Sequence, residues 1–204
     1  MIIYEDKGNK EGKHIVTNKW WAEQGVDVFR IPLPVGDYVL NNPKIEDVIN
    51  RKAKRGVDIK KMDLMGTYDV SVDSKQSIME LINDFQAEHE RFRDEMLLAK
   101  NNGIKLYIVV ENTFQWIVKS QKIFNTPVKN IQDLFSWKNP RAFIRKNGQQ
   151  AYPNCAKGSW LAKCCMTCES KYGCKFVFCL PDESAEIITR ILQGDIKNDS
   201  LEWL

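Results

Sequence analysis

The chain has 204 residues, 43% of them hydrophobic and 28% charged, enough for one sizeable core and typical of a folded domain without a disordered tract. Its net charge of +3 is too small to argue a nucleic-acid partner from the total, so such a partner must be argued from where the cations lie. The opening six residues, Met1 to Asp6, hold acids where a signal peptide needs a basic region, and no apolar run reaches the length of a membrane span; the expectation is a cytoplasmic protein without a membrane partner.

Ile2 to Glu5 predicts a first strand, followed by a polar turn from Gly8 to Gly12 and a helix from about His14 to Gln24 that Gly25 ends. Val26 to Ile31 and Leu33 to Leu40 predict two strands with a proline-marked turn between them, hence a hairpin. Asp37 falls in the second of these, where Asp is disfavoured, directly after Gly36, which permits close backbone approach. Asn42-Pro43 with Glu46 and Asp47 supplies an N-cap, a proline at the first helical position and first-turn acids, predicting a short helix to about Lys54. Arg51, Lys52, Lys54, Arg55, Lys60 and Lys61 put six cations into eleven residues. Such a run is either a solvated charged surface or a phosphate-binding patch.

Val70 to Lys75 predicts a strand whose alternation puts Asp69, Ser71, Asp73 and Lys75 on one face and Val70 and Val72 on the other. An Asp and a Lys two residues apart on a strand stand roughly 6 to 7 Å apart, near enough to grip a small charged object between them. One long helix is predicted from Ser77 to Asn101, with Ile78, Leu81, Ile82, Phe85, Phe92 and Met96 on its apolar face and Gly103 at its end. His89 falls within that stripe, as a hydrogen-bonded core residue or as support for a site, and Glu88 and Arg91 border it. Lys105 to Val110 has the apolar, β-prone character of a strand buried on both faces. It completes a strand-helix-strand unit, so the sheet is expected to be mixed, with a hairpin at its start and parallel pairing here.

Residues 112 to 155 carry a short predicted helix near Val128 to Trp137 and a basic loop with Lys138, Arg141, Arg145 and Lys146. A helix from about Lys157 to Tyr172, a strand from Cys174 to Leu180 and a helix from about Asp182 to Gln193 follow, with Gly173 and Gly194 as stops. The residues after Asp195 carry no readable pattern. All six cysteines lie between Cys155 and Cys179. The C-x2-C of Cys165 and Cys168, with Cys174 and Cys179 downstream, allows a structural zinc site. Against it, Leu161, Cys164, Cys165, Cys168 and Tyr172 have the spacing of a helix core stripe, where cysteine acts as a small hydrophobe.

The order of parts, Leu33-Pro-Val-Gly-Asp37-Tyr, then Val72-Asp-Ser-Lys75 leading into a long helix, then an apolar strand ending in Glu111, resembles the XPF-type nuclease domain. That family is a branch of the restriction-endonuclease-like PD-(D/E)XK superfamily, and the match covers roughly residues 2 to 111, with a C-terminal helix-strand-helix at about 157 to 194 similar to compact phage and bacterial versions. The resemblance implies a single α/β domain over residues 1 to 204, with a restriction-endonuclease-like mixed β-sheet flanked by helices. It carries the family's Gly-Asp onto Gly36-Asp37 and its Glu-Arg-Lys onto Asp73-Ser74-Lys75. Glu80 stands one residue later than the following acid of the pattern, and Glu5 corresponds to the early acid, with Lys7 near the position of the motif's Arg.

The implied activity is metal-dependent endonucleolytic cleavage of DNA at branches, flaps or junctions, in the setting of repair or recombination in a bacterial or phage-infected cell. A homodimer is compatible with it. A nuclease-inactive DNA-binding scaffold of the same fold is the alternative, and a zinc-stabilised interaction module is a second. The chemistry accounts for the residue types independently. Asp37 and Asp73 would repel a phosphodiester unless a hard cation, Mg2+ or Mn2+, sat between them, and Lys75 would position the attacking water or offset transition-state charge. The cations from Arg51 to Lys61, with those from Arg141 to Lys146, would hold the DNA backbone. Facing a wet cleft, Asp37, Asp73 and Lys75 are expected to contribute nothing to core packing.

Overall fold

A computed structural model describes residues 1–113, 115–118, 121–124 and 127–195, the two four-residue stretches by their backbone alone. In chain order the elements are β1 (Ile2–Asp6), α1 (Ile15–Glu23), β2 (Asp27–Ile31), β3 (Tyr38–Leu40), α2 (Pro43–Lys54), β4 (Val70–Lys75), α3 (Ile78–Gln86), α4 (His89–Asn101) and β5 (Lys105–Glu111). Two short hairpins follow, β6 (Gln115–Val118) with β7 (Gln121–Phe124) and β8 (Arg145–Lys146) with β9 (Gln149–Gln150). The chain closes with α5 (Gly158–Tyr172), β10 (Lys175–Cys179) and α6 (Ser184–Gln193). Residues 196–204, for which the sequence carries no pattern, lie outside the described residues.

Six strands form one mixed sheet in the order β10-β5-β4-β3-β1-β2. β4, β5 and β10 are parallel, as the apolar strand-helix-strand pattern predicts, while β3 runs antiparallel to both β1 and β4. The fold is therefore α/β with a mixed sheet between helical layers. On one face, α1 and α6 press Trp21, Ile187, Ile188 and Ile191 onto Ile3, Tyr38, Val72, Tyr107 and Val109. On the other, α2 to α5 cover Tyr4, Val39, Leu106, Ile108 and Val110. With β4 fourth from one edge and third from the other, both of its faces are covered, which decides the burial of everything it carries.

Two sequence expectations are corrected. The predicted hairpin between Val26 and Leu40 does not form, because β1 lies between β2 and β3 and pairs with each, parallel with the first and antiparallel with the second. Pro32 and Pro34 have no N–H to give to a ladder, and the neighbouring amides go to side chains instead: Leu33 N–H donates to Asp6 Oδ1 at 2.9 Å and Val35 N–H to the Tyr68 hydroxyl at 3.2 Å. The strand shrinks to Tyr38–Leu40. The single helix predicted from Ser77 to Asn101 breaks between Gln86 and His89, so His89 stands exposed in the first turn of α4 and outside the apolar stripe. Phe85 and Phe92 meet edge-on across the break, with ring centroids 5.4 Å apart.

Of the helical cysteines, Cys165 and Cys168 pack as their spacing predicts, while Cys164 is only half-buried. Cys165, Cys168 and Cys174 are buried with Leu161 and Tyr172, and Cys179 is buried against the α6 side. All six are free thiols, and burial pushes Cys168 up to about 11 and Cys174 up to about 12. Asn147 and Gly148 both take positive φ in the tight turn joining β8 and β9, the backbone that Asn-Gly favours in a two-residue hairpin loop. Among the described residues, no helix is long and apolar enough to cross a membrane.

At Gly158 the first turn of α5 lies against the short turn at Ile131–Phe135. A Cβ there would stand 2.0 Å from the Leu134 carbonyl oxygen and 2.5 Å from that of Trp137, both backbone atoms that cannot rotate away. Gly158→Ala is expected to destabilise the fold by about 1–3 kcal/mol, or more if the turn cannot shift. A thermal melt matching that of the wild type would contradict this packing.

Candidate active site

The site grows from the C-terminal half of β4. Asp73 and Lys75 point to the α3/α4 side of the sheet and retain only 4% and 3% of their exposure, and Asp37, just before β3, retains 8%. The wet strand face expected from the sequence is thus buried, because the sheet's middle strands are roofed by helices. Asp73 and Lys75 also leave no gap between them. The Lys75 Nζ lies 2.8 Å from Asp73 Oδ2 and 2.9 Å from Asp84 Oδ2, with the Phe92 ring centroid 5.2 Å away. Burial alone would lower the pKa of this ammonium, but Asp73 and Asp84 together hold it above its ordinary value. Asp84 is raised by burial, against the opposing pull of Lys75, and its other oxygen lies 3.2 Å from Arg91.

Asp37 is fixed by its backbone. Gly36 has φ +73°, and a Cβ on it would come within 2.1 Å of Ser71 Oγ and 2.9 Å of the Val72 carbonyl, so the chain passes over β4 at a distance only glycine tolerates. The Asp37 carboxylate accepts from Asn9 Nδ2 and from the Ser74 N–H, each at 2.9 Å. Burial, then Asp73, pushes its pKa up to about 6. His14 Nε2 lies 3.7 Å from Asp37 Oδ2. Burial and then Lys13 bring that imidazole down to about 4, so at neutral pH it is an uncharged neighbour and makes no ion pair. From α4, Glu95 Oε1 accepts the Gly36 N–H at 2.8 Å, and burial followed by Asp73 raises Glu95 to about 7.

Asp37, Asp73, Lys75 and Glu95 line a cleft of about 450 Å³ that also takes in Asp6, Lys13, Lys61, Glu80 and Arg91. Of the residues predicted from sequence, Asp37, Asp73, Lys75, Glu80 and Lys61 come together here. Glu80 sits at the start of α3, accepting the Gln76 N–H at 2.7 Å and pairing with Lys13 at 3.2 Å. Glu5 points to the α1 face, where Asn18 donates to it at 3.0 Å. It is the next residue, Asp6, that enters the cleft and meets Lys61 at 3.1 Å. His89 lies outside. The basic run divides: Arg51 pairs with Asp47 at 3.0 Å and Lys52 with Asp63 at 2.7 Å, Lys54, Arg55 and Lys60 are exposed, and Lys61 borders the cleft.

Sequence patterning does not single out Asp84 or Glu95. The signal available for them is a row of charged residues at positions 84, 88, 91 and 95, spaced by three and four along the border of the apolar stripe. Among the described residues, no group of three or more His, Cys, Asp or Glu side chains stands close enough to hold a metal ion.

No family model matches the sequence, and no curated protein matches it. Solved structures do. XPF from Aeropyrum pernix is 12% identical with a TM-score of 0.51 over 97% of this chain, and the same protein in complex with DNA is 13% identical with a TM-score of 0.50 over 98%. The chain spans 63% and 68% of the length of those two chains. The likeness is one of fold, a six-stranded mixed sheet flanked by helices.

Asp37 and Glu95 keep protons in the folded chain at pH values where the unfolded chain has released them, so their ionisation lowers stability as pH rises from about 4 to 7. His14 acts in the opposite sense between about 4 and 6.5, since only the unfolded imidazole is protonated there. From pH 6.5 to 8 the unfolded imidazole loses its remaining half-charge, which offsets part of the decline, while Glu95, half-ionised near 7 in the folded chain, loses more and sets the sign. Denaturant melts in chelator should therefore give lower stability at pH 8 than at 6.5, and Glu95→Gln should flatten the decline. A wild-type profile that is flat or rising over that interval would contradict the assignment.

Proposed function

We propose that the chain is a metal-dependent endonuclease that hydrolyses DNA phosphodiester bonds, with a preference for branched, flapped or junction DNA. The observation that carries the reading is the convergence of Asp37, Asp73 and Glu95 on one cleft beside Lys75 and Arg91. The donor set suits a hard divalent cation such as Mg2+ or Mn2+. It consists of carboxylate oxygens, and Asp37 and Glu95 are pushed up in pKa partly by the charge of Asp73, a repulsion that a bound cation would relieve. Asp37 and Asp73 would hold the ion. Bound there, it would polarise the phosphoryl group and make a coordinated water a better nucleophile.

The chain's own groups do the rest. Lys75 keeps a permanent positive charge at the cleft wall, where negative charge grows on the phosphoryl oxygens. Asp84 and Arg91 hold that ammonium in line, and Glu95, titrating near neutrality, can take up a proton from the attacking water. One of the two similar structures is a complex with DNA, which supports DNA as the partner. The preference for branched substrates rests on the sequence resemblance.

The test is magnesium- or manganese-dependent cleavage of a panel of branched, flapped and linear DNAs. Asp37→Asn and Asp73→Asn should each reduce cleavage by roughly two to three orders of magnitude, the scale of losing one transition-state electrostatic contact, and both should remain folded. Lys75→Ala is expected to behave differently from the sequence expectation, because removing the ammonium leaves buried Asp73 without its ion-pair partner and Asp84 with Arg91 alone. Its melt should drop by the roughly 3–5 kcal/mol typical of a broken buried pair, so its activity is read beside its stability. A wild-type protein that cuts nothing with either metal, or Asn variants that cut as fast, would overturn the proposal in favour of a DNA-binding scaffold.

A further inference from the structure

We propose that residues 127–157, with the α3 surface they pack against, form a groove for an unpaired DNA strand; this rests on the reading of DNA as substrate. The first support is charge. The segment holds Lys129, Lys138, Arg141, Arg145, Lys146 and Lys157 against the single acid Asp133, whereas the whole chain has a net charge of only +3, so the remainder is net negative. With residues 51–61 it is one of two cation-rich stretches of the chain, and none of its residues lines the carboxylate-rich cleft.

The second support is aromatic exposure. Phe135 (49% exposed), Phe143 (38%) and Tyr152 (47%) lie in the segment and Trp160 lies just past it, while Phe29 is the only other exposed aromatic residue among those described. Nothing in the segment's own packing requires so many open rings, because its core contacts are made by Val128, Ile131, Leu134 and Trp137. The Arg141 guanidinium sits 5.7 Å from the Tyr152 ring centroid, placing a cation and a stacking surface together.

The third support is shape. Adjacent hollows of about 330 and 480 Å³ share Asn139, Pro153, Cys155 and Ala156 in their walls. Tyr152 and Arg141 line the first, and Phe135 and Phe143 line the second. The first is also walled by Met79, Ile82 and Gln86 of α3, the helix whose Glu80 lines the cleft. Aromatic faces interleaved with cations hold bases that are free to stack, and a duplex, whose bases are already stacked on one another, cannot use them. The groove thus favours a strand that has left its complement.

The experiment is fluorescence anisotropy with a labelled oligothymidine of about 16 nucleotides and a blunt duplex of the same length, both in chelator so that nothing is cut. Wild type should bind the oligothymidine more tightly than the duplex. Tyr152→Ala and Phe143→Ala should each weaken oligothymidine binding roughly 5- to 100-fold, with little change for the duplex, while Tyr152→Phe keeps wild-type affinity because the ring remains. Arg141→Ala should lower the slope of log affinity against log salt by about 0.7. A thermal melt of each exposed-site variant accompanies the binding. Oligothymidine bound no more tightly than duplex, or alanine variants binding as wild type, would overturn the groove. Since no cleavage is needed, failure of the nuclease reading leaves this result intact, and a cutting enzyme with no single-strand preference would reject the groove alone.

Discussion

The ammonium of Lys75, buried between Asp73 and Asp84 within 3 Å of each, is the interaction on which the arrangement of the site depends. A buried cation persists only when carboxylates surround it at hydrogen-bonding distance, and either partner left alone is costly. Each partner comes from a different element: Asp73 and Lys75 from the buried strand β4, Asp84 from α3, and Arg91, which steadies Asp84, from α4. The break between α3 and α4 lets two short helices present Asp84, Arg91 and Glu95 to the same strand. Even so, the pocket remains rich in carboxylate, with Asp37, Asp73 and Glu95 lining it beside Lys75 and Arg91. Burial first and the charge of Asp73 second raise Asp37 and Glu95, and the second of these is what a divalent cation would relieve.

Much of this was legible where chemistry and backbone demands coincide in a few adjacent residues. Gly36-Asp37 announced itself because an acid in an extended run after a glycine has no packing reason, and the structure supplies the reason in a backbone so near Ser71 that a Cβ on Gly36 would fall 2.1 Å from its Oγ. Asp73 and Lys75 followed from strand parity. Asp84 and Glu95 were hidden because each lies on a helix border where charged residues are ordinary, and only the third dimension brings them to β4. Parity also separates Glu5 from Asp6. The residue the motif pointed to faces α1, and its neighbour faces the cleft. The hairpin expectation failed because pairing of β1 on both sides is a tertiary event that local patterns in Val26 to Leu40 do not encode.

The basic run after α2 illustrates a different limit. Six cations in eleven residues look uniform in sequence, yet Arg51 and Lys52 are engaged by nearby acids while Lys61 turns to the cleft. Ion pairs of this exposed kind are worth little in stability, but they diminish the charge available to a phosphate. Six further cations are spread over residues 127–157, where aromatic rings stand open beside them. The molecule therefore divides its charge by location, acids in the cleft and cations along the path to it.

The central proposal is that a divalent cation binds at the cleft's carboxylates, and the most direct measurement is the melting temperature at pH 8 as Mg2+ is titrated into wild type and Asp73→Asn. Binding to the folded state alone must raise stability with ligand concentration. The account predicts a melting temperature for wild type that climbs with Mg2+ and saturates, with the rise largely lost in Asp73→Asn. A wild-type melting temperature indifferent to Mg2+, or an equal rise in both proteins, would contradict it.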